Sequence, residues 1–185
     1  MTMGSKEDTR RLIRELKRAV PMAERLSRSE AIMHRVESLP EFKTAEVVLL
    51  YWSMADEVQT HSFVDRWHRD KVVLLPCVDG DMLRLRQYTG PECMVSGEQF
   101  GIGEPRKTEN GEWNAASVEC IVVPGVAFDR NGNRMGRGRG FYDRLLKSAT
   151  KAVKVGVCYD FQLVDEVPTE PHDVRMDIVI AENHE

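Results

Sequence analysis

The chain has 185 residues, with 26 Lys and Arg against 30 Asp and Glu for a formal net charge of −4. That length supports one domain with a substantial core, and the near-balanced charge argues against a general polyanion binder, which would be basic overall. Four cysteines, Cys77, Cys93, Cys120 and Cys158, lack C-x-x-C spacing and read as reduced thiols of a cytoplasmic protein. The charged first twenty residues read as no signal peptide, and no apolar run reaches the length of a membrane span.

Residues 1–4 are predicted to be disordered. From Ser5 to Val20 the spacing is amphipathic, with Leu12, Ile13, Leu16 and Val20 on one side. Lys6, Arg10, Arg11, Arg14, Lys17 and Arg18 occupy the rest; most read as a solvated face, though one or two could serve a phosphate bound elsewhere. Met22 to Ser38 predicts a second helix, closed by Leu39-Pro40. Val47 to Tyr51 is a continuous apolar run, as in a strand buried on both faces. It opens into Trp52 to Glu57, and α/β proteins place ligands in such loops. Trp52 and Glu57 are either an aromatic platform with a carboxylate or a core-edge indole and a loop acid. Thr60 to Arg69 predicts a helix with Thr60 as N-cap. Lys71 to Leu75 predicts a buried strand stopped by Pro76, and Met82 to Tyr88 a half-exposed one. Residues 89–117, including F-G-I-G-E-P from Phe100 to Pro105, predict a long irregular functional loop. Glu119 to Val123, Val153 to Cys158 and Asp177 to Ala181 predict three more strands. Strands alternating with helices argue an α/β sandwich with a mainly parallel sheet. With no internal repeat and no domain boundary, residues 1–185 read as a single domain.

The stretch from Asn133 to Leu146, N-R-M-G-R-G-R-G-F-Y-D-R-L-L, interleaves Gly136, Gly138 and Gly140 with Arg134, Arg137 and Arg139. Glycines let backbone approach a ligand, and guanidinium forks suit phosphate. Helical spacing resumes at Phe141, Tyr142, Leu145, Leu146 and Ala149. The pattern predicts a glycine-rich loop feeding a helix N-terminus, an anion site, against the alternative of a flexible turn with solvated arginines. It fits neither the P-loop nor the dinucleotide fingerprint. Asp143 would repel a phosphate unless a cation bridged them, and a Mg²⁺-bound nucleotide triphosphate removes the conflict. Asp143, Asp173 and Asp177 are the candidate ligands for a hard cation; the alternatives are a helix-dipole partner at Asp143 and a turn cap at Asp173. The scattered histidines disfavour a Cys/His metal site, and His61 and His68 read as surface residues. No Ser–His–Asp or Cys–His nucleophile stands out.

Pro124 to Asp129 (P-G-V-A-F-D) and Gly132 to Asp143, supported by Ser53 to Thr60, Phe100 to Pro105 and Val155 to Asp177, resemble the 5-formyltetrahydrofolate cyclo-ligase family, also called 5,10-methenyltetrahydrofolate synthetase. The resemblance covers roughly residues 6–181. It implies a three-layer α/β sandwich of the NagB/CoA-transferase-like kind and an enzyme that uses ATP and Mg²⁺ to cyclise 5-formyltetrahydrofolate. It implies nucleotide contacts from Lys6, Arg10, Arg11, Arg134, Met135, Gly136, Arg137, Gly138, Arg139, Gly140, Phe141 and Tyr142. Trp52, Glu57 and the segment Arg137, Gly138, Arg139, Gly140, Phe141 would contact the folate. Asp143 and Asp173 would bind Mg²⁺, and Arg137, Arg139 and Tyr142 would carry catalysis. In the family mechanism the formyl oxygen attacks the γ-phosphate, N10 then closes the ring, and phosphate leaves. That route needs positioned cations rather than a protein nucleophile. The chain departs from the family pattern at Phe141, where tyrosine is common, at Arg139, often lysine or glycine, and at Trp52, smaller in some relatives. The expected partners are small molecules, with no nucleic acid or membrane, and the expected state is a monomer. The rival readings are a phosphosugar-isomerase-like enzyme on a similar scaffold and a non-catalytic folate- or nucleotide-binding module.

Overall fold

A computed structural model describes residues 4–97, 101–108 and 111–183. The expected disorder of residues 1–4 falls on positions outside these, apart from Gly4, as does Phe100. Helix α1 spans Lys6–Arg18. Ser5 caps it, accepting the Asp8 N–H at 3.1 Å, which satisfies one of the orphan donors of a helix start. Helix α2, Met22–Ser38, ends as expected, but Pro40 does more than stop it. It starts a short helix α3, Pro40–Thr44, because a proline at the first helical position gives up an N–H that has no partner there.

Strand β1 (Val47–Leu49) is followed by helix α4 (His61–Trp67), strand β2 (Val72–Asp79) and strand β3 (Met82–Gln87). Strands β4 (Met94–Ser96) and β5 (Gly103–Pro105) form a small antiparallel pair, so the segment expected to be irregular holds local structure. Strand β6 (Cys120–Val123) precedes an antiparallel hairpin of β7 (Ala127–Phe128) and β8 (Arg134–Met135), which the sequence pattern did not announce. Helix α5 (Phe141–Ser148), β9 (Val153–Val157) and β10 (Ile178–Ile180) complete the order.

The main sheet runs β10-β9-β6-β1-β2-β3. Its pairings are parallel except β2 with β3. β2 does not stop at Pro76; it continues to Asp79 with Pro76 opposite Leu85 of β3. β1 pairs only as far as Leu74, so a residue without an N–H interrupts no ladder on that side. Alternation along the strands divides the core into two layers. Val48, Val73, Leu75, Val122 and Val155 pack against Ile32 and Val36 of α2, Phe42 of α3 and Phe63 of α4. Leu49, Leu74, Ile121 and Val123 pack against Leu145 and Leu146 of α5. Helices on both faces of a mainly parallel sheet are the three-layer arrangement expected.

The α1 stripe differs from its predicted form. Thr9, Ile13 and Lys17 are its buried residues, and Leu16 is exposed. The buried row is set by what α1 meets: Ile13 packs with Ala127 and Met135, on the hairpin that carries the glycine-rich loop, and with Val167. Among the described residues, no helix is long and apolar enough to cross a membrane.

Candidate active site

β1 lies between β2, which follows it, and β6, which comes later in the chain. The connections therefore leave β1 and β6 toward opposite sides, and such a switch point opens a crevice at the carboxyl ends of the strands. A cleft of about 970 Å³ lies there, the size of a small-molecule site. Its lining includes Tyr51, Trp52 and Glu57 beyond β1, Pro124 and Gly125 beyond β6, Arg134 to Asp143, and Lys6 and Arg10 of α1.

The glycine-rich stretch enters the cleft as a loop and leaves it as α5. Gly140 is the N-cap, with φ 69° and ψ 14°, a left-handed conformation that glycine takes without the Cβ clash. Gly138, at φ 107°, faces Arg10: a Cβ there would stand 3.6 Å from its Nη2. Arg10 donates through Nε and Nη2, each at 3.2 Å, to the Gly136 carbonyl, so α1 pins the loop directly. At the root of the hairpin the Asp129 carboxylate accepts the Asn131, Asn133 and Val167 N–H groups, each at 3.0 Å. That nest fixes where the loop departs.

Arg134 is only 9% exposed. It donates from Nε to the Pro124 carbonyl at 2.7 Å, and its guanidinium lies 5.0 Å from the Tyr142 ring centroid. Burial lowers its pKa, while Tyr142, Asp143, Glu57 and Asp173 pull the other way. The Met135 side chain is core, so Met135 offers the cleft mainly backbone. The Tyr142 phenol is pushed well above its usual range by burial and by the Glu57 charge, and stays neutral at physiological pH. Arg137 and Arg139 are exposed at the mouth; Arg137 Nη2 donates to Asp56 Oδ1 at 3.0 Å.

Glu57 accepts the Met54 N–H at 2.8 Å. Burial, the largest influence, pushes its carboxyl upward; the Met54 N–H and the Arg137 charge oppose it. Trp52 stacks on His61, with ring centroids 3.8 Å apart and planes 11° from parallel, and its indole abuts Gly103, where a Cβ would lie 3.0 Å from Nε1. His61 Nε2 lies 2.9 Å from the Ser53 carbonyl, which accepts only, so Nε2 carries the proton. Thr60 stands at the N-cap position of α4 as expected, but its hydroxyl makes no capping bond: it donates to Tyr51 O and accepts the Ser53 N–H. The hydroxyl staples the site loop instead of satisfying a donor of α4.

At the far end, single ligand atoms from Asp143, His172 and Asp173 lie within 4.8 Å of one another. Lys6 Nζ is 3.6 Å from Asp173 Oδ2 and 3.2 Å from Glu170 Oε1. Asp177, the third carboxylate weighed from spacing, is not in this group; it accepts the Lys154 N–H at 2.8 Å beside β10. Arg11 does not reach the cleft: it points to solvent and pairs with Asp8 at 3.0 Å. One residue beyond Arg10 is a turn of about 100° around a helix, which decides between them.

A family model described as the 5-formyltetrahydrofolate cyclo-ligase family matches residues 2–182. The chain belongs to the 5-formyltetrahydrofolate cyclo-ligase family. A 5-formyltetrahydrofolate cyclo-ligase from Mycolicibacterium smegmatis is 33% identical, covering 98% of this chain and 95% of that one. Another, from Haemophilus influenzae, is 29% identical over 98% of this chain and 100% of its own. The NMR structure of Aquifex aeolicus 5,10-methenyltetrahydrofolate synthetase superposes with a TM-score of 0.86 at 36% identity, covering 97% of this chain and 90% of that one. The cyclo-ligase family resemblance read from residues 124–143 is thus shown over essentially the whole chain.

Sequence reasoning assigned no place to Lys17, Asp56, Glu170 or His172, whereas His61 is exposed as expected and stacks on Trp52. A signal existed for one of them: Lys17 follows Ile13 by four residues, on the row that Ile13 buries. The other positions depend on which loops meet across the cleft, which spacing along the chain does not encode.

Proposed function

We propose that this chain converts 5-formyltetrahydrofolate to 5,10-methenyltetrahydrofolate at the expense of ATP, releasing ADP and phosphate. The observation that carries the reading is the convergence of Lys6, Arg10 and the Arg134–Asp143 stretch on the cleft that Glu57 enters, in a chain of the cyclo-ligase family. The α5 N-terminus, the loop N–H groups and the arginines suit a triphosphate. Glu57 suits the pterin, accepting from its ring N–H groups, with Trp52 packing against the ring system.

Asp143 and Asp173 fit a Mg²⁺ ion. Hard oxygen donors from one or two carboxylates, completed by phosphate and water, are its usual protein set, and the two aspartates already share a cluster. The imidazole of His172 is a poorer donor for it and suits a bridge to Glu170 and Asp173. When bound, the ion would neutralise charge on the phosphates.

In this reading the residues hold the formyl oxygen in line with the γ-phosphorus. The oxygen attacks, the bond from phosphorus to the β,γ-bridging oxygen breaks, and ADP leaves. N10 then attacks the activated carbon and gives up its proton, and the carbon–oxygen bond breaks with release of phosphate. Arg137 and Arg139 stabilise the transferring phosphoryl group. Neutral Tyr142 and the Arg134 guanidinium above it form the floor. Positioning and charge stabilisation are the main needs of phosphoryl transfer, so a protein nucleophile is not required. We read the protein as a cytoplasmic monomer acting on small molecules.

The test adds 5-formyltetrahydrofolate, ATP and Mg²⁺ to folded protein and follows methenyl absorbance together with ADP. Stoichiometric appearance of both is expected. Turnover that needs no ATP would favour an isomerase-like activity, and binding of both ligands without turnover would leave a binding module.

A further inference from the structure

α1 carries a lysine where a hydrophobic residue would ordinarily sit. Lys17 is 8% exposed and stands one helical turn beyond Ile13, which is buried in the core. A cation on a dry helix face needs a counter-charge. Its partner is Asp56, 3.5 Å from Nζ to Oδ2. Asp56 in turn accepts from Arg137 Nη2, at 3.0 Å to Oδ1 and 3.3 Å to Oδ2. One carboxylate thus links a buried lysine on α1 to an exposed arginine on the glycine-rich loop.

The two ends of this link differ in rigidity. The Asp56 loop is held at several points: Arg25 Nη1 donates to Ala55 O at 3.2 Å, Gln59 Nε2 to Met54 O at 2.8 Å, and the Tyr159 hydroxyl to Glu57 O at 3.1 Å. Arg137 lies between Gly136 and Gly138 and is exposed. Backbone and side chain there have wide freedom unless something outside the loop restrains them.

We propose that Asp56, braced by Lys17, is a positioning residue that holds the Arg137 guanidinium at the cleft mouth ready for the phosphoryl group. The tether uses Nη2, and a guanidinium has five N–H donors in a fixed fork, so Arg137 can be anchored to Asp56 and still present donors to the ligand. Glu57, the next residue, turns into the cleft. The same short loop therefore grips the loop arginine with one carboxylate and faces the cleft with the other. Ordering the arginine before the ligand arrives removes a cost from binding. This inference rests on the reading that Arg137 acts in the cyclo-ligase site.

The experiment measures kcat and KM for ATP in Arg137→Ala, Asp56→Asn and the double variant. Arg137→Ala is expected to lower kcat/KM by about tenfold or more and Asp56→Asn by about fivefold. The double variant should be no worse than Arg137→Ala alone, because a residue acting through Arg137 has nothing left to position. Asp56→Asn leaves the Lys17 cation unpaired and can destabilise the fold, so Lys17→Met/Asp56→Asn, which removes both charges, is measured beside it and should show the same kinetic defect. Wild-type or improved kcat/KM in a folded Asp56→Asn protein, with Arg137→Ala impaired, overturns the tether alone. Multiplying losses in the double variant also overturn it, since they show Asp56 acting independently. Wild-type kinetics from Arg137→Ala instead remove Arg137 from the site, and the tether with it.

Discussion

Glu57→Gln should move stability and activity in opposite directions. Burial is the largest influence on the Glu57 carboxyl and raises its pKa, with the neighbouring Asp56 charge adding to it. The folded protein therefore holds the Glu57 proton more tightly than the unfolded chain does. For a carboxyl shifted this way, the favourable contribution to folding is fully present below the ordinary value of 4.5 and is lost as pH rises through the higher folded value. As pH rises toward neutral, Glu57 therefore becomes a cost to the fold, of the kind expected of a group kept for function rather than stability. Glutamine keeps the shape and keeps an oxygen to accept the Met54 N–H, bonded at 2.8 Å in the native loop, but carries no charge. The variant should be more stable than wild type at neutral pH by about 1 kcal/mol, or ~2–4 °C in Tm for a chain of this size. The gap should close as pH falls to 4.5 and below. Turnover should fall, because one acceptor oxygen becomes an NH₂ group facing the pterin donors. Loss of a charge-assisted hydrogen bond, about 1.5–3 kcal/mol, corresponds to a rate loss of roughly 10–150-fold. Thermal melts from pH 4 to 8 and methenyl-absorbance kinetics read the two effects. A variant less stable than wild type at neutral pH would refute the burial argument, and one with wild-type kinetics would remove Glu57 from the pterin site.

Three further outcomes follow from particular contacts. Asp143→Asn and Asp173→Asn should each raise, by about tenfold, the Mg²⁺ concentration needed for half of the ATP-induced thermal shift, equivalent to ~1.4 kcal/mol; an unmoved titration would leave these aspartates as helix and turn partners only. Gly140→Ala should cost about 1–2 kcal/mol, seen as a lower Tm, because the N-cap of α5 sits at φ 69°; an unchanged Tm would mean the cap relaxes freely. Burial pushes the Cys77 and Cys120 thiols up to about 12, so both should resist a thiol reagent at pH 8 in the native state and react after denaturation, whereas rapid native labelling of either would contradict their packing.

The fold was legible wherever a periodic signal ran undisturbed. The runs at Val47–Leu49 and Cys120–Val123 are buried on both faces of the sheet, and continuous apolarity is what two covering layers require. The glycine–arginine stretch announced both its loop and its helix, since alternating glycines and a resumed 3.6-residue spacing are local signals. Legibility failed where the deciding partner was distant. Pro76 looked like a stop because a proline within a strand usually is, and only the early end of β1 makes it harmless. Thr60 had the residue type of a cap, but Tyr51 O and Ser53 N compete successfully for its hydroxyl. Leu16 carried the apolar signal of α1, yet the surface that α1 meets selects the row through Thr9, Ile13 and Lys17.

That row also explains how a chain with a net charge of −4 gathers cations beside one cleft. Lys6, Arg10, Ile13 and Lys17 are spaced four, three and four residues apart, so they share one side of α1. Ile13 fastens the helix to the β7–β8 hairpin. The three cations flank that contact, and each meets a different loop: Lys6 reaches Asp173 and Glu170, Arg10 the Gly136 carbonyl, and Lys17 Asp56. Docking one helix thus brings Lys6 and Arg10 into the cleft and fixes three loops at once. Each cation at the ends of the row is matched by a carboxylate, which contains the cost of holding charge in a partly dry site before a ligand arrives. Local pairing of this kind leaves little trace in the net charge, and the field in a cleft is set by which charges the fold gathers there, not by their sum.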